Sequence, residues 1–140
     1  MSAPAIALRL DVTDRAALAP ALAEVERALG PLDILVNNAG FAILKGVLDQ
    51  TDEDWDAVIE TNLTAAFRLS RMAARSMSAR GGGGKIINIG SEYSLFGNPI
   101  AHSYPASKGA LIQLTKSMAV ELAPHNIQVN ASCPDGSRAT

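Results

Sequence analysis

Apolar positions along this 140-residue chain alternate between short continuous runs and longer stretches with helical spacing. Ala5 to Leu10 is a brief apolar run ending at Asp11 and predicts a strand. Thr13 or Asp14 then stands where a helix cap belongs, ahead of a segment in which Ala, Leu and Val recur at helical intervals as far as Leu29. Pro20 falls inside that pattern and leaves the first turn of the helix open. Gly30 and Pro31 end it. Asp33 to Val36 reads as a second short strand, running into Asn37-Asn38-Ala39-Gly40, a stretch of residues that tolerate unusual backbone angles.

Thr51 or Asp52 caps a long helical pattern through Trp55, Val58, Ile59, Leu63, Phe67, Leu69 and Met72, fading near Arg80. Glu53 and Asp54 suit its positive N-terminal end. Lys85 to Ile89 predicts a third strand. Tyr104 to Leu122 predicts a third helix, with Leu111, Leu114, Met118 and Leu122 on its apolar side, and Ile127 to Asn130 a fourth strand after Pro124. Four strands alternating with three helices argue for an α/β parallel sheet with its site at the carboxyl ends of the strands. The run Gly81 to Gly84 precedes a strand, whereas a phosphate cradle follows a strand and opens a helix, so it reads as a surface turn.

Composition narrows the function. With 48% hydrophobic and 19% charged residues, residues 1–140 are expected to form one folded domain. Twelve basic against 14 acidic residues, a formal charge of -2 and few aromatic residues argue against nucleic acid as a partner. No apolar stretch reaches the ~20 residues of a membrane span, and the N-terminus lacks the pattern of a secretory signal. One cysteine, Cys133, cannot form an internal disulfide, and a cytoplasmic location is expected. Cys133 has no His or second Cys at metal spacing and reads as a small buried residue; no metal site is expected.

Tyr104 and Lys108 are four residues apart at the start of a helix and so share a face. A phenol ionises near pH 10, so a tyrosine moves protons at neutral pH only when a nearby positive charge favours its phenolate, which Lys108 can supply. Pro105 is tolerated if it lies in the first turn. Ser91 follows the strand ending at Ile89, where α/β sites form, and Asn62 lies in the long preceding helix. Asn37-Asn38-Ala39-Gly40, then Asn62, then Ile-Asn-Ile-Gly-Ser ending at Ser91, then Tyr-Pro-Ala-Ser-Lys from Tyr104 to Lys108, in that order and spacing, resembles the short-chain dehydrogenase/reductase family. The likeness runs from about Ala5 to Pro134 and takes in Asp11, Val12 and Ile127-Gln128-Val129-Asn130.

The resemblance implies a partial Rossmann-like, doubly wound parallel sheet, lacking the family's first two strands and its last. It implies an NAD(P)-dependent oxidoreductase interconverting a secondary alcohol and a ketone. Tyr104 would be the general acid or base, Ser91 a hydrogen-bond donor to the substrate oxygen, Lys108 the ligand of the nicotinamide ribose, and Asn62 the holder of a water linking Lys108 to solvent. Asp11, Val12, Asn37, Ala39, Gly40 and Pro134 would contact NAD or NADP, with Asp11 on the adenine. Glu92, Tyr93 and Gly97 to Ser103 would line the substrate pocket. His102 reads as a surface loop residue and His125 carries no role.

Family members open with a strand, a TGxxxGxG turn and a pyrophosphate-binding helix, which have no counterpart in this sequence. In the family's sheet order, 3-2-1-4-5-6-7, Ala5 to Leu10 would lose both strands separating it from Asp33 to Val36. At the other end Asp135 interrupts the usual Pro-Gly between Pro134 and Gly136, and Thr140 is the last residue. Sugar, sugar-acid and glucose dehydrogenases are the expected relatives, with 3-oxoacyl carrier-protein reductase as the alternative. The partners implied are a small alcohol or ketone and a second copy, in a dimer or tetramer. A rival reading is a non-catalytic remnant associating through its long helices.

Overall fold

The computed structural model describes residues 4–134, so Asp135, Gly136 and Thr140 lie outside the described residues. Helix α1, Arg15–Leu29, starts where Asp14 accepts hydrogen bonds from the Ala16 and Ala17 amides, and it runs through Pro20 without stopping. Strand β1, Ile34–Asn37, follows. Thr51 caps α2, Asp52–Ile59, with a reciprocal contact from the Asp54 side chain, and three acidic residues occupy its first turn. A π-turn, Glu60–Thr64, joins α2 to α3, Ala65–Arg80. The single helix expected from Asp52 to Arg80 is therefore wound wider at one place, around Asn62.

Gly81 ends α3 in the left-handed conformation, φ 76°, and β2, Gly84–Ile89, begins three residues later. Gly83 must be glycine: its φ is +74°, and a Cβ there would lie 2.3 Å from the Asn126 carbonyl oxygen. The glycine run is thus a helix stop and a tight turn, at the amino end of the sheet. A short 3₁₀ turn, Glu92–Ser94, leads toward α4, Ser103–Leu122, and β3, Ile127–Ser132, closes the described fold.

The three strands form one parallel sheet in the order β1-β2-β3. Asn37 pairs in register with Asn88, and Ile86 with both Leu35 and Val129. Alternation decides what each face carries. Ile86, Ile127 and Val129 face α3 and α4 and pack with Ala73, Ala74, Met77, Met118 and Leu122 into the core. Ile34 and Val36 point the other way and are 52% and 51% exposed. Helix α1 buries Leu18 and is tied to α3 by the Ser76 hydroxyl donating to Glu26.

One expected element is absent. Ala5–Leu10 does not join the sheet, and residues 5–9 are exposed. A strand needs a neighbour to take its amides and carbonyls, and among the described residues no strand lies beside this segment. Four expected strands become three.

Candidate active site

Helix α4 places the two central side chains. Pro105 falls in its first turn, where a missing N–H costs nothing, so Tyr104 and Lys108 project from consecutive turns toward the carboxyl ends of β1 and β2. Lys108 is 4% exposed, and its Nζ donates a 2.6 Å hydrogen bond to the Ile89 carbonyl at the end of β2. That Nζ lies 5.7 Å from the centre of the Tyr104 ring. Burial pushes the Lys108 ammonium below its ordinary value of 10.5, partly opposed by the Cys133 thiol nearby. The Tyr93 ring meets Tyr104 edge-on at 6.4 Å and fixes its other side.

Ser91 is 8% exposed, just past β2, and caps the 3₁₀ turn. Its oxygen accepts from the Tyr93 amide at 3.2 Å while its own amide donates to Ser94 Oγ. One lone pair is thereby occupied and the hydroxyl hydrogen is left to donate into the cleft. Ser91, Tyr104 and Lys108 line one cleft of about 340 Å³ together with Gly40, Pro134 and Glu92.

Asn62 lies behind this cleft rather than in its lining. It is 1% exposed; its Nδ2 donates to the Phe41 carbonyl at 2.9 Å and to Ser107 Oγ at 3.1 Å, while its Oδ1 accepts from the Phe41 amide at 3.0 Å. Ser107 in turn donates to the Tyr104 carbonyl at 2.7 Å. One side chain therefore joins the π-turn, the loop after β1 and the helix carrying Tyr104. Gly40 is packed against this knot: a Cβ there would stand 3.1 Å from Asn62 Oδ1 and 3.4 Å from Lys108 Nζ.

The remaining expected residues fall in two places. Val12, Asn37 and Ala39 line a smaller neighbouring cleft of about 70 Å³ beside the π-turn, and Asn38 borders both clefts. The Asn37 side chain turns inward: its Nδ2 donates to Ser70 Oγ and Asn88 Oδ1, both at 2.8 Å, while its buried Oδ1 has no partner among the described residues. Asn88 continues this buried polar line to Thr115 Oγ1 at 2.8 Å. Asp11 lines neither cleft. Its carboxylate accepts from the Thr13 amide and hydroxyl at 2.9 and 2.7 Å, which holds it below the usual carboxylate range; Asp14, not Asp11, caps α1.

Three expectations need correction. Cys133 is exposed: it follows the last residue of β3, which among the described residues is a strand at the edge of the sheet. Of the proposed pocket lining, Glu92 and Tyr93 border the cleft, but the stretch from Gly97 to Ser103 does not. It is pulled aside: Ala101 bridges to Lys45, and Ser103 accepts from Gln50 at 2.7 Å. His102 is half-buried at the start of α4 rather than a free loop residue, with its Nδ1 enclosed. Ser70 and Thr115 carry no signal in the sequence beyond polar residues interrupting apolar periodicity, whereas Asn88 and Ser107 fall inside the Ile-Asn-Ile-Gly-Ser and Tyr-Pro-Ala-Ser-Lys motifs without a role of their own there.

The cleft offers hydrogen-bond donors to a ligand. Lys108 Nζ offers two further hydrogens beside Gly40 and Pro134, suited to the ribose hydroxyls next to a nicotinamide ring. The pyrophosphate is another matter. Among the described residues, the positive-φ glycines Gly30, Gly81 and Gly83 all precede strands, so no glycine turn opens a helix toward the site.

Comparison with known proteins agrees with this geometry. A family model described as short chain dehydrogenase matches residues 1–140. The NADPH carbonyl reductase 2 of Sus scrofa is 46% identical over 112 residues, covering 78% of this chain and 46% of that protein. An NAD-dependent glycerol dehydrogenase of Listeria innocua is 38% identical over 129 residues, covering 92% and 50%. The crystal structure of a putative short-chain alcohol dehydrogenase from Sinorhizobium meliloti superposes with a TM-score of 0.90 at 42% identity, over 95% of this chain and 52% of that one. The chain spans about half the length of the relatives it matches.

Proposed function

Because the chain belongs to the short-chain dehydrogenase family, we propose that its cleft is the catalytic half of an NAD(P)-dependent oxidoreductase acting on a secondary alcohol or ketone. The observation that carries this reading is the convergence of Ser91, Tyr104 and Lys108 on one cleft, with Lys108 buried beside the Tyr104 ring. A bound nicotinamide supplies or accepts hydride at the substrate carbon. The chain's own residues manage the oxygen. The Ser91 hydroxyl donates to it, and the Tyr104 hydroxyl gives it a proton on reduction or takes one on oxidation. Lys108 holds the ribose and sets the positive field around the phenol; Asn62 fixes the helix turn on which Tyr104 rides. Asn37, Ala39, Gly40, Val12 and Pro134 approach the cofactor from the loops, with Asp11 at the far, adenine side.

Sugar-like alcohols are the substrate class this reading favours, with 3-oxoacyl thioesters as the alternative. Association of two or four copies through α3 and α4 belongs to the same proposal, supported by Phe67 and Val120, 40% and 80% exposed on those helices. A reducing cytoplasm suits the unpaired Cys133. The exposed apolar residues on α3 and α4 favour one rival, a chain that associates without catalysing. Titration of the purified 140-residue chain with NADH and NADPH, followed by nicotinamide fluorescence, decides between them. Saturable binding with turnover abolished in Tyr104→Phe supports the enzyme; a folded chain that binds neither cofactor supports the rival.

A further inference from the structure

We propose that Glu92 makes this cleft select neutral polyhydroxylated substrates over sugar acids, an inference that rests on the oxidoreductase reading above. Glu92 is the first residue of the 3₁₀ turn that Ser91 caps, immediately after the residue placed to meet the substrate oxygen. Its carbonyl accepts from both the Leu95 and Phe96 amides, which ties it into the turn. The adjacent Tyr93 ring locks the turn against Tyr104. Glu92 is half-buried and borders the reaction cleft, and its carboxylate has no ion-pair partner among the described residues.

The charges around the cleft then decide what enters. Among the described residues, Glu92 and Lys108 are the only charged side chains bordering it. Lys108 is 4% exposed and directed at the Ile89 carbonyl, so its ammonium is not presented to the outer part of a substrate. A sugar acid would bring a second carboxylate into a partly desolvated space whose accessible charge is already negative, and like charges there repel strongly. A polyol brings hydroxyl groups instead. An ionised carboxylate only accepts hydrogen bonds, and a pair of substrate hydroxyls satisfies it without any charge cost. Attraction for one class and repulsion for the other act at the same atom pair, which is an efficient way to separate substrates of equal size.

The test is a matched pair, D-sorbitol and D-gluconate, titrated into the ¹⁵N-labelled 140-residue chain, with hydride transfer to NAD and NADP measured alongside. The expected result is binding of sorbitol at least about tenfold tighter than gluconate, with shifts at Ser91 and Tyr104. In Glu92→Gln the preference should fall to within about twofold, by weaker sorbitol and stronger gluconate binding. Circular dichroism checks that the variant is folded, and Glu92→Asp, which keeps the charge, should keep rejecting gluconate. Equal or tighter binding of gluconate by the parent chain overturns the inference, as does an unchanged ratio in Glu92→Gln or binding of neither compound by either protein. Selective binding without any hydride transfer strikes the oxidoreductase reading while leaving the selectivity of Glu92 in place.

Discussion

Lys108 Nζ stands 5.7 Å from the centre of the Tyr104 ring, drawn to that place by the Ile89 carbonyl 2.6 Å away. The ammonium is buried without a carboxylate to pair with among the described residues. Such an arrangement is costly for folding and useful for chemistry, and the variants below separate the two effects.

Lys108→Met should abolish most catalysis, by about a hundredfold or more in kcat/KM, without lowering stability at neutral pH. Burial lowers the folded-state pKa of Lys108 from 10.5, so between that lowered value and 10.5 the unfolded chain holds more protons than the folded one. Stability contributed at this site therefore rises with pH across that window. Urea melts at several pH values should show the advantage of Lys108→Met shrinking as the pH approaches 10.5; a constant difference would contradict the burial argument.

Asn62→Ala should cost roughly 2 kcal/mol in urea denaturation, because it strands the Phe41 amide and carbonyl and takes a donor from Ser107. The loss should exceed that of Ser107→Ala, which removes two links, to the Tyr104 carbonyl and to Asn62 Nδ2, and leaves both of Asn62's bonds to Phe41 in place.

Gly40→Ala and Gly83→Ala should fail differently. At Gly40 the backbone accepts an L-residue, and the added methyl presses on Asn62 and Lys108, so turnover should drop about tenfold with stability changed by less than about 1 kcal/mol. At Gly83 both the positive φ and the Asn126 carbonyl oppose a side chain, and the loss should reach at least about 2 kcal/mol. Gly30→Ala, where φ is +94° but nothing lies within 4 Å, should cost only about 1 kcal/mol. Equal losses at positions 30 and 83 would show that the carbonyl yields.

Thr115→Val keeps the shape of α4 but leaves Asn88 Nδ2 without its partner at 2.8 Å. A loss of about 1–2 kcal/mol is expected. Hydrogen exchange should quicken in β2 before β3, since Asn88 ties β2 to Asn37 of the neighbouring strand.

The features legible in the sequence are those set by neighbours along the chain. Asp14 and Thr51 cap helices because a short polar side chain at a helix start reaches the amides two and three residues on. Tyr104 and Lys108 share a face because helical spacing puts them there, and the order of Asn62, Ser91, Tyr104 and Lys108 along the chain carries the likeness to the family it belongs to. The tertiary structure alone decided the rest. Ala5–Leu10 has the composition of a strand, yet a strand needs a partner edge, and pairing is not a property of the segment itself. Asn62 looked like a residue in an unbroken helix; the π-turn that buries it is a response to Phe41 and Ser107, 21 and 45 residues away. The inward turn of Asn37, the exposure of Cys133 and the desolvation of Lys108 have the same origin, because burial and hydrogen bonding between distant segments exist only after those segments have packed.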